Sequence, residues 1–184
     1  MCFVDAAHFV WGASAGWLWC QERTFVRAAA GRQRWNVLRA SDAQTQQVYS
    51  WSTEDNIDAE QVGIFLTRLA LDRAFAQDRR PVTLVLDNAR YFHAKSVKAL
   101  AKLYGIELLF LPSYSPNLNL IERFWKFTKA RCLRTRFYDS FSSFSFAIDE
   151  LIESAHLQFP AELASLLSLN FQKLNPDQLL EHYA

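Results

Sequence analysis

Three carboxylates stand at the margins of apolar segments in this chain of 184 residues: Asp5 within "CFVDAAHFV", Asp87 at the end of "PVTLVLD", and Glu122 at the head of "IERFWKFTK". Carboxylates brought together repel one another unless cations lie between them. Two divalent ions about 3.5–4 Å apart, sharing an aspartate, would neutralise such a cluster and clamp the attacking and leaving oxygens of an in-line phosphoryl displacement. Hard oxygen ligands suit Mg²⁺ or Mn²⁺ and leave positions for water and phosphate. The softer ligands point the same way. Cys2, Cys20 and Cys132 form no C-x-x-C pair, and His8, His93, His156 and His182 are far apart. That pattern argues against a disulfide scaffold and against a zinc site.

Each carboxylate also has a plainer reading. Asp87-Asn88 can simply end a strand, since both residue types favour turns. Asn119-Leu120-Ile121-Glu122 fits a capping box with Asn119 as N-cap, and Glu122 stands four residues before Lys126, the spacing of an ordinary helical ion pair. Asp5 has the weakest plain reading, because an acid between Val4 and Ala6 in an apolar strand is costly unless partnered. Position alone leaves these alternatives open.

The elements that must carry the three residues can be read from periodicity. "CFVDAAHFV", "RWNVLRAS" and "QQVYSWS" read as strands, the last two as a hairpin, with "WLWC" a further short strand. Helical spacing runs from Ala59 to Phe75. "PVTLVLD" is a near-continuous apolar run, the pattern of a strand buried on both faces. A helix follows, periodic through Val97, Leu100, Ala101 and Tyr104, with Gly105 as its C-cap. "IELLFLP" is a strand stopped by Pro112, and a Pro- and Ser-marked loop then leads into the Glu122 helix. The remainder reads as helical, with breaks at Pro160 and Pro176. Early strands pair antiparallel and the later alternation implies parallel strands with helical crossovers. The expected fold is α/β: a mixed sheet with helices on both faces. Asp87 then lies at a strand's C-terminal end, where open α/β sheets collect ligands.

Bulk properties bound the rest. The length suits one domain with a real core. Half the residues are apolar, which excludes a disordered chain. No apolar run is long enough to span a membrane, and "MCFVDAAHFVW" has no signal-peptide layout, so the expected location is the cytoplasm. Net charge is +1, but residues 122–136 hold six bases and one acid, so an anionic partner would meet that region. Lys126 and Lys129 share a helix side with Glu122, which suits a phosphate backbone.

"FVDAAHF", "LVLDNARYFHA" and "LLFLPSYSPNLNLIERFWKFTK" together resemble, in order and spacing, the three active-site blocks of DDE transposases of the mariner superfamily, in particular the bacterial insertion-sequence branch. The likeness runs from about Cys2 to about Ile152. It implies a ribonuclease-H-like fold, with Asp5, Asp87 and Glu122 as the ligands of two Mg²⁺ (or Mn²⁺) ions. The implied chemistry is hydrolysis of a DNA phosphodiester at a transposon end, followed by attack of the freed 3′-hydroxyl on target DNA. Asn88 and His93 fall on family positions beside the site. The loop Ser113–Asn117 sets the approach of the Glu122 helix and borders the DNA, with Asn117 a supporting residue. Lys126, Lys129, Arg123 and Arg131 are the expected phosphate contacts.

Two expectations follow from departures. Family members carry N-terminal helix-turn-helix domains, and here Asp5 is already the first catalytic position. One ribonuclease-H-like domain is therefore expected over 1–184 (core 1–138, helices 139–184), with the DNA-reading part absent or separately encoded, and with homodimerisation implied because the family pairs two DNA ends. Only Met1–Val4 precede Asp5, so a shortened central strand and a weakly anchored Asp5 are expected.

Overall fold

Side-chain alternation along the first strand decides which layer each residue serves. In β1 (Cys2–Val10), Cys2 and Val4 face one layer of the core, whereas Phe3, Ala7 and Phe9 face the other. The computed structural model describes residues 1–12, 31–43, 45, 47–112, 118–134 and 136–168. The "WLWC" strand, the loop Ser113–Asn117 with Asn117, and the break at Pro176 lie outside the described residues.

β1 is followed by β2 (Arg34–Asp42), β3 (Val48–Thr53), α1 (Ala59–Phe75), β4 (Val82–Leu86), a 3₁₀ turn (Arg90–His93), α2 (Lys95–Leu103), β5 (Ile106–Phe110), α3 (Ile121–Cys132), α4 (Phe141–Gln158) and α5 (Pro160–Leu166). The strand order is β3-β2-β1-β4-β5. β1–β2 and β2–β3 are antiparallel, and β1–β4 and β4–β5 are parallel. Among the described residues this is a five-stranded mixed sheet flanked by five α-helices, as the order of apolar patterns implies. No helix among them is long and apolar enough to cross a membrane.

Each helix is placed by its own apolar stripe. α1 and α2 bury Val62, Phe65, Leu66, Leu69, Val97 and Ala101 against Val4, Leu38, Leu84 and Leu86 on one face of the sheet. α3, α4 and α5 bury Ile121, Phe124, Phe144, Ile148, Ile152 and Leu163 against Phe3, Val37 and Val85 on the other. Local chemistry sets the ends. Asp58 caps α1 by accepting from the amides of Glu60 and Gln61, both at 2.9 Å. Gly105, at φ +66°, follows α2 in the left-handed region that favours glycine. Pro160 opens α5 directly after α4 has ended at Gln158.

β1 occupies the middle of the sheet, but its two neighbours hold it unequally. It pairs with β2 along all nine residues and with β4 only at Cys2↔Leu84 and Phe3↔Val85. The hold on the β4 side is confined to those two residue pairs and ends at Phe3. The β2 side spans the whole strand.

Candidate active site

Strand register brings the first two carboxylates side by side. Continuing Cys2↔Leu84 and Phe3↔Val85 by two places sets Asp5 against Asp87. Neighbouring strands lie about 4.8 Å apart, so the two residues start from adjacent backbones. Asp5 follows Phe3 by two residues, which turns it toward the α3 face. The helix supplies its partner there: the Trp125 indole N–H donates to Asp5 Oδ2 at 3.0 Å. Asp5 is buried at 8% exposure.

Burial pushes the Asp5 carboxyl up from its ordinary 3.8 to about 7. The negative charge of Glu122 adds to the rise, and that of Asp87 adds further, while the Ala6 amide and the Trp125 indole oppose it. Asp5 thus feels the charge of both other carboxylates. The three do not converge on a single point: among the described residues no three His, Cys, Asp or Glu side chains are close enough to hold one ion. The donor set is nevertheless all oxygen, which fits Mg²⁺ or Mn²⁺ rather than a softer metal.

Asp87 and Glu122 are both partly exposed at this edge. Asp87 Oδ1 accepts from the Ala89 amide at 3.0 Å, so the turn expected of Asp-Asn does form. Its other oxygen remains free of that turn. Glu122 departs from the capping-box reading. Helix α3 begins at Ile121 after Leu120, and Glu122 is its second residue. Asn119 instead donates to the Val4 carbonyl at 3.1 Å and accepts from the Ile121 amide at 3.4 Å. The buried amide is drawn into a bridge between α3 and β1, one residue before Asp5. Among the described residues Glu122 forms no ion pair with Lys126.

The residues beside Asp87 form a connected set. Asn88 Nδ2 donates to the Leu111 carbonyl at 2.5 Å, tying the end of β4 to the chain leaving β5. A His93 Nε2–Asn88 Oδ1 contact of 3.2 Å joins the two side chains. The His93 ring stacks on Phe110, with centroids 4.1 Å apart and planes 17° apart. Tyr91 lies close enough that Asp87 and Asp5 add to the rise which burial imposes on its phenol.

The structure divides the four expected phosphate contacts into two pairs. Lys126 and Lys129 are exposed on the Glu122 side of α3. Arg123 and Arg131 turn toward α5: Arg123 donates to the carbonyls of Leu166 and Ser168, and Arg131 pairs with Glu162 while stacking on Phe159.

Three neighbours of the site escape sequence reasoning, Trp125, Tyr91 and Arg39, and Asn119 is legible there only as an N-cap. Arg39 stands opposite Asp5 in the β1–β2 ladder and is 1% exposed. Its Cζ lies 3.3 Å from the centre of the Phe124 ring, and Nη1 donates to the Ile152 carbonyl at 3.4 Å. Among the described residues its Nε has no hydrogen-bond partner. Burial lowers the guanidinium to about 9. A base in the middle of "NVLRAS" was a visible signal, since an arginine within an apolar strand is as unusual as an aspartate.

A family model described as "DDE superfamily endonuclease" matches residues 3–145. The fold is that of the Mos1 transposase catalytic domain, a ribonuclease-H-like fold. The Mos1 paired-end complex with left transposon end superposes with a TM-score of 0.61 at 14% identity, covering 93% of this chain and 56% of that one. The Mos1 catalytic domain with Raltegravir and Mg gives 0.60 at 15% identity, covering 95% and 85%. The Mos1 mariner paired-end complex with Mn gives 0.58 at 15% identity, covering 95% and 56%. This chain therefore spans about half the length of the transposase in the DNA complexes. No curated protein sequence matches it.

Proposed function

The chain belongs to the DDE superfamily endonucleases, and from that premise we propose that it is a transposase catalytic domain of the mariner superfamily, in its bacterial insertion-sequence branch. In this reading Asp5, Asp87 and Glu122 hold two Mg²⁺ or Mn²⁺ ions. The substrates are duplex DNA at a transposon end and a target duplex. When bound, the metal pair supplies charge neutralisation and a Lewis acid for in-line phosphodiester displacement. The chain's own residues do the rest. Trp125 holds Asp5 Oδ2 and so fixes the orientation of the carboxylate. Asn88 and His93 brace the strand end that carries Asp87. Lys126 and Lys129 offer phosphate contacts on the Glu122 side. The unit acts as one domain over 1–184, with core 1–138 and helices 139–184. It works as a homodimer with a DNA-reading part, in the cytoplasm at the nucleoid.

The observation that carries this reading is Asp5. A carboxylate buried beside two others, level with the C-terminal end of β4, is unfavourable for folding alone, and a divalent cation relieves it. Mos1 transposase structures, which share this fold, were solved with Mn and with Mg. The test is thermal unfolding with and without Mn²⁺, followed by nicking of plasmid DNA, for the wild type and Asp87→Asn. A midpoint raised by Mn²⁺ in the wild type alone, with cleavage lost in the variant, is the expected result. No Mn²⁺ response in either protein would refute it. The separation of the carboxylates favours a second reading, a DNA-binding remnant without catalysis. That reading predicts DNA binding with no metal-dependent cleavage.

A further inference from the structure

The stretch between Asp87 and Glu107 contains no acid, yet holds Arg90, Lys95, Lys98 and Lys102. All four are exposed, and none is in an ion pair among the described residues. Arg90 opens the 3₁₀ turn three residues after Asp87, and the lysines follow on α2. Spacings of three and four place the lysines along one side of the helix, while Val97 and Ala101 are buried against the α1 layer.

Helix stability does not select this arrangement. Lys95 is the first residue of α2, where the helix dipole disfavours a cation, and no acid in the first turn and no side-chain cap offsets it. Lys98 and Lys102 are like charges at i,i+4, which repel. A solvated face ordinarily mixes both signs, and this one carries a single sign over a rise of about 10 Å from Lys95 to Lys102. A polyanion laid along the row relieves every one of these terms.

Position indicates which polyanion. The row starts at the edge where Asp87 lies and runs along the α1–α2 face of the sheet. Lys126 and Lys129 belong to α3, on the opposite face. The sheet separates the two rows, so one straight duplex cannot lie along both. Strand transfer requires two duplexes at one site. We propose that Arg90, Lys95, Lys98 and Lys102 form a second phosphate-backbone track that holds the target duplex, while the α3 lysines face the transposon end. This inference rests on the transposase reading.

The test uses the full chain as wild type, as K95Q/K98Q/K102Q and as K126Q/K129Q. A labelled duplex of about 30 base pairs is titrated over a range of salt concentrations, long enough for several phosphate contacts. Each lost phosphate contact should flatten the log–log salt slope by about 0.9 and weaken binding roughly eightfold near 0.1 M salt. The wild type should bind two duplexes per chain at saturation, and each variant one. An unchanged slope in K95Q/K98Q/K102Q overturns the track. A flattened slope with unchanged stoichiometry overturns the assignment to a second duplex. A wild type that binds no duplex at any salt refutes the transposase reading itself, a separate failure.

Discussion

Replacing Asp5 by Asn should stabilise the metal-free protein at neutral pH while removing its response to metal. The Asp5 carboxyl is held at about 7 in the folded chain against an ordinary 3.8. Between those two values the folded state keeps a proton that the unfolded chain has released. Stability therefore falls as pH rises through this window and levels off above it. Three pH units at about 1.36 kcal/mol each give a loss of about 4 kcal/mol. Asn keeps the shape of the side chain and an oxygen to accept from Trp125, but never carries the charge. The variant and wild type should match near pH 4 and diverge to about 4 kcal/mol in the variant's favour near pH 8. For a chain of this length that is a midpoint difference of roughly 8–16 °C. The assay is thermal unfolding followed by circular dichroism in chelator across that range. Subtracting the two profiles isolates Asp5 from other acids that titrate in both proteins. Added Mn²⁺ should raise the wild-type midpoint most at the alkaline end and leave the variant unmoved. A variant with the wild-type pH slope, or one that melts lower than wild type near pH 8, would refute the account of Asp5 as a strained buried carboxylate.

Trp125→Phe removes the indole donor to Asp5 Oδ2. It should cost about 1.5–3 kcal/mol near pH 8, where the carboxylate is charged, and less near pH 4; equal losses at both would show that only ring packing matters. Asn119→Ala breaks the bridge from α3 to the Val4 carbonyl. Urea unfolding should show a loss of about 1–3 kcal/mol, and calorimetry a weaker Mn²⁺ affinity, because the head of α3 would no longer be tied beside Asp5. Arg39→Met replaces a buried guanidinium that has no carboxylate partner among the described residues. It should raise stability by about 1–4 kcal/mol in the same urea assay; a lower midpoint would mean that the Phe124 stack and the Ile152 hydrogen bond outweigh the desolvation cost.

Local pattern carried most of the fold. The apolar run before Asp87, the period of α1 and α2, Gly105 and Pro160 each act over a few residues, so the chain alone specifies where strands and helices form and which side of each is buried. The alternation in β1 likewise determines that Asp5 shares a face with Phe3 and Ala7. Tertiary structure decided what meets on that face. Trp125 reaches Asp5 across 120 positions of chain, and Asn119 reaches Val4 across 115. Neither contact leaves a periodic trace, because each depends on how α3 docks against the sheet. The same docking takes Asn119 away from an ordinary N-cap and separates Lys126 and Lys129 from Arg123 and Arg131, residues that look equivalent in a basic run. Periodicity records the burial of a face. The identity of its neighbours follows from strand register and helix packing, which join segments far apart in the chain.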